Sequence, residues 1–254
     1  MNKTSFVVMS MDCQITIADE KSGDEIRKIV TEIKYFLLNI ELSLSPFIPT
    51  SEISQINQGK IKIINSSIRT QQILNLCDQT KKLSGGYFDS YENGKIDPCG
   101  LVKGWAIHQT SLLLKRCGLS NFLIEISGDL QTSGHPLNKK FWVVGIRNPF
   151  RHSEIIKTVH LSGEGIATSG GDRNGQHIYN PVYNKPIKEI ISLTVIAPNV
   201  FEADRFATAA FAMSRRGIDF IESRPGFEGY MIDQNRTATY TSGFRRFACS
   251  TSTV

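Results

Sequence analysis

Apolar positions recur at helical spacing between Asp24 and about Leu44, where Ile26, Ile29, Val30, Ile33, Phe36, Leu37 and Ile40 line one face. That pattern predicts a long amphipathic helix, stopped by the loop that carries Pro46 and Pro49. Ahead of it, residues 5–18 alternate roughly between polar and apolar, as a strand does. Behind it, Ser51 to Asn57 predicts one helical turn capped by Thr50 or Ser51. Further helices are predicted from Arg69 to Leu83, ended by Gly85–Gly86, and from about Val102 to Arg116, ended by Gly118. A turn-rich connection, 89–103, joins them. Strands follow at 121–127, 141–147 and 155–161, then a glycine-rich loop from Ser169 to Gly175. A strand from Ile190 to Ala197, helices from Asn199 and over Arg216–Ser223, and a hairpin made of Tyr230–Ile232 and Ala238–Thr241 complete the chain. Helices and strands mix without strict alternation, which predicts an α+β fold and not a doubly wound sheet. Residues 1–244 read as one domain and 245–254 as a short polar tail.

Within this pattern the window Asn199 to Met213 carries the densest chemistry. Asn199 with Glu202 three residues on resembles a capping box. Asp204 and Thr208 stand four apart, so their oxygens project from one helix face, while the opposite side is small and apolar. Such a pair forms half of a hard-cation site of the kind Mg²⁺ prefers. An alternative reading makes Asp204 a solvated acid favoured by the helix dipole, and Thr208 a residue bonding back to its own helix.

Composition narrows the partners. The chain has 254 residues and a net charge of +5, with Lys and Arg spread along it at Lys60, Lys62, Lys81, Lys82, Lys139, Lys140, Arg215 and Arg216. A nucleic-acid footprint is more concentrated, so no nucleic-acid partner is expected. A modest positive balance suits an anionic small molecule. The cysteines (Cys13, Cys77, Cys99, Cys117 and Cys249) are odd in number and lack C-x-x-C spacing, as expected of free thiols in a reducing compartment. The N-terminal MNKTSFVVMSMDCQ lacks the apolar core and cleavage site of a secretory signal, and no segment reaches membrane-spanning length.

Three more segments join polar groups to glycine. Asp97 to Ala106 sets Gly100 and Gly104 at a helix start beside Lys103, where exposed amides welcome phosphate; an ordinary loop-to-helix junction with a surface lysine fits the same residues. Ile166 to Pro181 takes a strand end into hydroxyls and glycines and then to His177, whose ordinary pKa suits a general base, although a lone histidine is more often structural. A carbonyl near Ala167 has the chemistry of a metal ligand. Ile124 to Leu130 runs a strand into a Gly128–Asp129 turn, for which structure is the default explanation.

In this order the segments resemble the ApbE family of FAD-dependent protein FMN transferases. The resemblance runs from about Met9 to Phe244. Val8-Met-Ser-Met looks like the family's Met-Gly-Thr strand, and Ser51-Glu-Ile-Ser-Gln-Ile-Asn57 its Ser-Glu-Leu-Ser-x-x-Asn element. Gly86-Tyr-Phe-Asp89 is similar to Gly-x-Phe-Asp, Asp97 to Ala106 to Asp-x-Gly-Gly-x-x-Lys-Gly-x-Ala, and Ser127-Gly-Asp129 to Gly-Gly-Asp. Ala167-Thr-Ser-Gly170, His177-Ile-Tyr-Asn-Pro181 and Glu202 to Ala209 resemble Ala-Thr-Ser-Gly, His-Ile-x-Asp-Pro and Ala-Asp-x-x-Ala-Thr-Ala.

The resemblance implies a T-fold-like α+β architecture with a flavin cleft between two lobes. It implies FAD as substrate, Mg²⁺ at the pyrophosphate, and transfer of FMN to a Ser or Thr hydroxyl of a target flavoprotein carrying a flavinylation motif, with release of AMP. By the same resemblance Asp204, Thr208 and the Ala167 carbonyl hold the metal, His177 deprotonates the acceptor, and Met9, Asn57, Asp89, Lys103 and Ser169 contact FAD, with Glu52 a weaker candidate. The chain departs from the family at Ser10, Cys99 and Asn180 and in the short segment between Gly170 and His177. The missing signal and lipobox set the expectation of a cytoplasmic form, monomeric or homodimeric. An FAD pyrophosphatase and a non-catalytic FAD-binding protein are the competing readings.

Overall fold

The computed structural model describes residues 1–170 and 179–248. The chain opens with strands Asn2–Val8 (β1) and Met11–Ile17 (β2), paired as a hairpin in which Val8 faces Met11. A single strand was expected over 5–18; the break falls at Met9 and Ser10, both at positive φ (52° and 57°), the geometry of a tight hairpin turn. The alternation continues across this turn, and neither residue is the Gly or Asn that positive φ favours, so the periodicity conceals it.

Helix Gly23–Leu44 (α1) follows the predicted span, buries Ile26, Val30, Ile33, Leu37, Ile40 and Leu44, and starts on a full capping box between Ser22 and Glu25. In Glu52–Asn57 (α2) the cap is Ser51, whose side chain accepts the Ser54 N–H at 3.0 Å. Helix Ile68–Leu83 (α3) and the small hairpin of Tyr91–Glu92 (β3) and Lys95–Ile96 (β4) lead into Cys99–Arg116 (α4). That helix starts a turn earlier than the spacing of its apolar residues predicts.

Strands Phe122–Ile126 (β5) and Asp129–Ser133 (β6) form the next hairpin; β6 was not anticipated beyond its Gly-Asp turn, because its residues are largely polar although buried. Trp142–Asn148 (β7) and Arg151–Leu161 (β8) pair with each other apart from the main sheet. Gly165–Gly170 (β9), Tyr179–Asn180 (β10), Lys185–Pro186 (β11) and Ile190–Ala197 (β12) follow, then helices Val200–Ala212 (α5) and Gly217–Glu222 (α6). Glu228–Asp233 (β13) and Ala238–Tyr240 (β14) close the fold.

The main sheet has eight strands in the order β1-β2-β5-β6-β9-β12-β13-β14, each antiparallel to its neighbours. Each half is a hairpin, then helices, then a second pair of strands, and β6 joins β9 across the middle through Leu130↔Ile166. The expected two lobes are therefore two halves of one sheet. Strand periodicity sends Leu193, Val195 and Ala197 toward α5 and α6, and Ile196 toward the other face. There β7 and β8 cover the sheet with Trp142, Val144, Ile146, Val159 and Leu161. Among the described residues no helix is long and apolar enough to cross a membrane.

Within the second half, helix and sheet meet with little space between backbones. A Cβ added at Gly165 would lie 1.9 Å from Val200 N and 2.3 Å from the Asn199 carbonyl carbon, so the start of α5 rests directly on β9. Gly165→Ala is expected to lower stability by about 3 kcal/mol or more in urea titrations. Gly163→Ala, where a Cβ meets nothing within 4 Å, is expected to stay within about 0.5 kcal/mol of the parent.

Candidate functional site

The first turn of α5 is fixed from two sides. Asn199 Oδ1 accepts the Glu202 N–H at 3.0 Å, and Gln131 Oε1, from β6, accepts the Val200 N–H at 2.8 Å. The capping box is half closed, since the Glu202 carboxylate receives Arg205 Nη2 at 2.6 and 2.7 Å. One turn later α5 crosses α4 at Gly104. The absence of a side chain there lets Asp204 reach the α4 backbone, and Gly104 N–H donates to Asp204 Oδ2 at 2.8 Å. A Cβ at Gly104 would fall 2.5 Å from Asp204 Cβ.

Asp204 is 5% exposed, so the reading of it as a solvated acid does not hold. It belongs to a buried charge cluster. Lys103 Nζ stands 2.8 Å from Asp129 Oδ2, and Asp129, at the start of β6, is 1% exposed. Asp129 Oδ1 accepts the Thr168 N–H at 3.1 Å, while Oδ2 is buried with no directed hydrogen bond. Burial pushes the Asp204 carboxyl well above the usual carboxylate range; Lys103 opposes this, Asp129 adds to it, and the Gly104 N–H opposes it. Burial alone would lower the Lys103 ammonium, but the Asp129 and Asp204 carboxylates outweigh it and hold the group above its ordinary value. Two carboxylates thus share one ammonium in a region from which water is largely excluded. Such an excess of negative charge is costly unless a proton or a cation offsets it.

Hydroxyl groups complete this face. Thr208, half-buried and one turn beyond Asp204, places Oγ1 3.4 Å from Ser169 Oγ on β9. A Cβ at Gly100 would lie 3.4 Å from Thr208 Cγ2, so the start of α4 also borders the cluster. Ala167, fully buried, lies opposite Val195 in the β9–β12 ladder, two residues before Ser169 on the same face. Lys103, Ala167, Ser169, Asp204 and Thr208 are therefore brought together from α4, β9 and α5. Asp129 joins them, although the sequence presents it only as the end of a turn; its signal is the Gly128–Asp129 step after a buried strand.

The other predicted residues stand on neighbouring elements with protein partners. Asn57 acts as a surrogate strand for β4: its Nδ2 donates to Ile96 O at 2.8 Å and its Oδ1 accepts Ile96 N–H at 2.7 Å. Asp89 pairs with Lys81 at 2.7 Å and accepts the Tyr91 N–H at 3.0 Å. Met9 sits in the β1–β2 turn and donates its N–H to Glu41 Oε2 at 3.1 Å. Glu52 caps α3, accepting Ser67 N–H at 3.0 Å and the Ser67 and Thr70 hydroxyls. His177 lies outside the described residues.

The donor set suits a divalent cation. Carboxylate and hydroxyl oxygens predominate, and the two buried carboxylates have the Lys103 ammonium between them. Among the described residues no cluster of three or more His, Cys, Asp or Glu side chains has metal-site geometry. A cation here would therefore draw on hydroxyl, backbone and substrate oxygens.

The sequence model of the ApbE family matches residues 9–93 and 90–231. The FAD:protein FMN transferase of Salmonella typhimurium is 28% identical over 147 residues, 54% of this chain and 42% of that protein. The Escherichia coli K12 protein of the same name is 29% identical over the same shares. The chain thus spans less than half the length of these curated relatives. Among solved structures, an ApbE protein from Thermotoga maritima superposes with a TM-score of 0.86 at 19% identity, covering 98% of this chain and 99% of that one. The flavin transferase ApbE from Vibrio cholerae gives 0.82 at 19%, covering 97% and 99%. These likenesses establish the fold.

Two outcomes follow for the supporting residues. Asn57→Ala leaves both Ile96 backbone groups without partners and is expected to cost about 2 kcal/mol in urea titrations. Burial would raise the Glu52 carboxyl, but hydrogen bonds from Thr70 and Ser67 hold it below its ordinary 4.5. Its contribution is therefore complete above the unfolded-state pKa and is lost as pH falls through the lower folded value. From about pH 5 to about pH 3, urea midpoints should fall more steeply for the parent than for Glu52→Gln.

Proposed function

The chain belongs to the ApbE family, and on that premise we propose that it is a Mg²⁺-dependent FAD:protein FMN transferase. It would move FMN from FAD to a Ser or Thr hydroxyl of a target flavoprotein. The observation that carries this reading is the cluster of Asp204, Asp129 and Lys103, roofed by the Thr208 and Ser169 hydroxyls.

Transfer breaks the bond between the FMN phosphorus and the oxygen bridging to AMP, and makes a bond from the same phosphorus to the acceptor oxygen. The acceptor hydroxyl loses its proton and AMP leaves with the bridging oxygen. Charge grows on the phosphoryl oxygens and on the leaving group, and fixed positive groups are the usual means of stabilising it. Asp204, Thr208 and the Ala167 carbonyl are the residues to hold Mg²⁺, which supplies Lewis-acid stabilisation of the phosphate charge when bound. Lys103 adds a second positive charge, and Asp129 keeps its ammonium oriented. Gly104 fixes the Asp204 carboxylate through its N–H, so less reorganisation is needed at the moment of reaction. His177 is the residue to accept the hydroxyl proton. Asn180, where the family has Asp, accepts the Val182 and Tyr183 N–H groups at 3.0 Å each. A carboxylate would make the same turn, so this departure leaves the local backbone geometry intact.

Incubation with FAD, MgCl₂ and an acceptor protein bearing a Ser/Thr flavinylation motif is expected to yield a covalent, fluorescent FMN adduct and AMP in equal amounts. AMP with free FMN alone would establish hydrolysis instead, and unchanged bound FAD would establish storage. Asp204→Asn keeps an acceptor for the Gly104 N–H and should fold. It is expected to lose the thermal stabilisation given by MgCl₂ and at least about a hundredfold in turnover. His177→Ala should bind FAD normally and lose about a hundredfold or more in transfer.

A further inference from the structure

A pocket of about 380 Å³ lies past the C-terminal end of α5. Its walls come from β10, the segment around β11 that leads into β12, and the turn after α5: Asn180, Lys185, Lys188, Arg215 and Arg216, with Ile187 and Met213 among the apolar lining. Two carboxylates lie nearby, and Glu189, itself in the wall, keeps its charge. Glu189 accepts the Ser214 hydroxyl, and Asp233 pairs with Arg215 at 2.9 Å. Lys185, Lys188 and Arg216 have no carboxylate partner among the described residues; Arg216 instead donates to the Tyr87 hydroxyl and lies over its ring. Lys185, Lys188 and Arg216 are exposed, so their charge is available to a visitor.

The position of the pocket is set by the sheet. Strand β9 runs from Ala167 and Ser169, at the charge cluster, to Gly170, which stands opposite Ser192. Ser192 is near the start of β12, immediately after Lys188 and Glu189 in the pocket wall. The chain returns at Tyr179 and Asn180, paired with Pro186 and Lys185. Along α5, Thr208 and Met213 are five residues apart, an axial distance of about 7.5 Å. The basic pocket thus continues from the charge cluster on the side where β9 ends.

We propose that this pocket seats an acidic segment of the acceptor flavoprotein and thereby presents the neighbouring Ser or Thr hydroxyl to the site. The proposal rests on the transferase reading. Charge complementarity supports it: three cations without carboxylate partners among the described residues, against the one carboxylate of Glu189 and on a partly apolar floor, favour carboxylate-bearing peptide over a neutral one. An exposed basic surface also steers an acidic partner, with an effect that weakens as salt rises.

The test uses the full chain and a fluorescein-labelled Ser/Thr peptide with flanking Asp and Glu, beside the same peptide with Asn and Gln. Anisotropy is read without FAD, and FMN transfer to a protein acceptor is measured in parallel. The parent should bind the acidic peptide at least tenfold more tightly than the neutral one, and the difference should shrink with added NaCl. Lys185→Glu/Lys188→Glu, a change at two exposed side chains, should abolish the preference and raise the acceptor KM about tenfold, with kcat and FAD affinity unchanged. Equal binding of the two peptides, or an unaltered acceptor KM, would overturn the proposal. A fall in FAD affinity in the double variant would also overturn it, by assigning the pocket to the dinucleotide. If the parent binds the acidic peptide selectively yet forms no covalent adduct, the transferase reading fails while the pocket's selectivity stands.

Discussion

The approach of α5 to α4 at Gly104 sets the geometry on which the rest depends. One missing side chain lets a buried aspartate touch the backbone of another helix, and the contact is a hydrogen bond 2.8 Å long. A side chain at residue 104 would collide with Asp204 and the Val200 carbonyl, separate the helices and withdraw Asp204 from the amide. The helix from one half of the sheet and the helix from the other are thus held at a separation that only glycine allows. Close packing transmits the displacement of either helix to the other.

The charge cluster sits where those halves meet. Asp129 begins β6, the last strand of the first half, and Ala167 and Ser169 lie on β9, the first strand of the second. Lys103 comes from the first half and Asp204 from the second. No single segment carries the site, and each buried charge depends on a partner from the other side of the junction or beside it. This arrangement is costly, since two carboxylates are desolvated beside one ammonium. Replacing such a cluster by apolar side chains is often neutral or stabilising, so stability alone does not account for it. The basic pocket past α5, with Lys185, Lys188, Arg215 and Arg216 in its wall, continues from this cluster on the side where β9 ends.

Several residues that a motif marks as ligands act in the structure as braces. Asn57 spends its amide on Ile96, and Glu52 spends its carboxylate on the start of α3. The first anchors the strand β4 that leads into α4, and the second ties α2 to the start of α3. A short polar motif can thus brace the backbone around a site.

The sequence by itself determined the helices whose apolar residues repeat at a regular spacing, the strand from Ile190 to Ala197, the cap at Asn199, and the facing of Asp204 and Thr208. These are local consequences of helix and strand period, and of side chains that satisfy backbone groups a few residues away. It also carried the family resemblance, because short motifs in a fixed order survive where overall identity is low. It concealed the turn at Met9–Ser10, the strand β6 and the earlier start of α4, where alternation or polarity misstates burial. Only the tertiary structure decided that Asp129 belongs with Lys103 and Asp204, and that Gly104 is the contact point. Those residues are far apart along the chain, and their meeting is fixed by which strands pair and which helices cross. Periodicity encodes which face of an element is buried, but not what it is buried against.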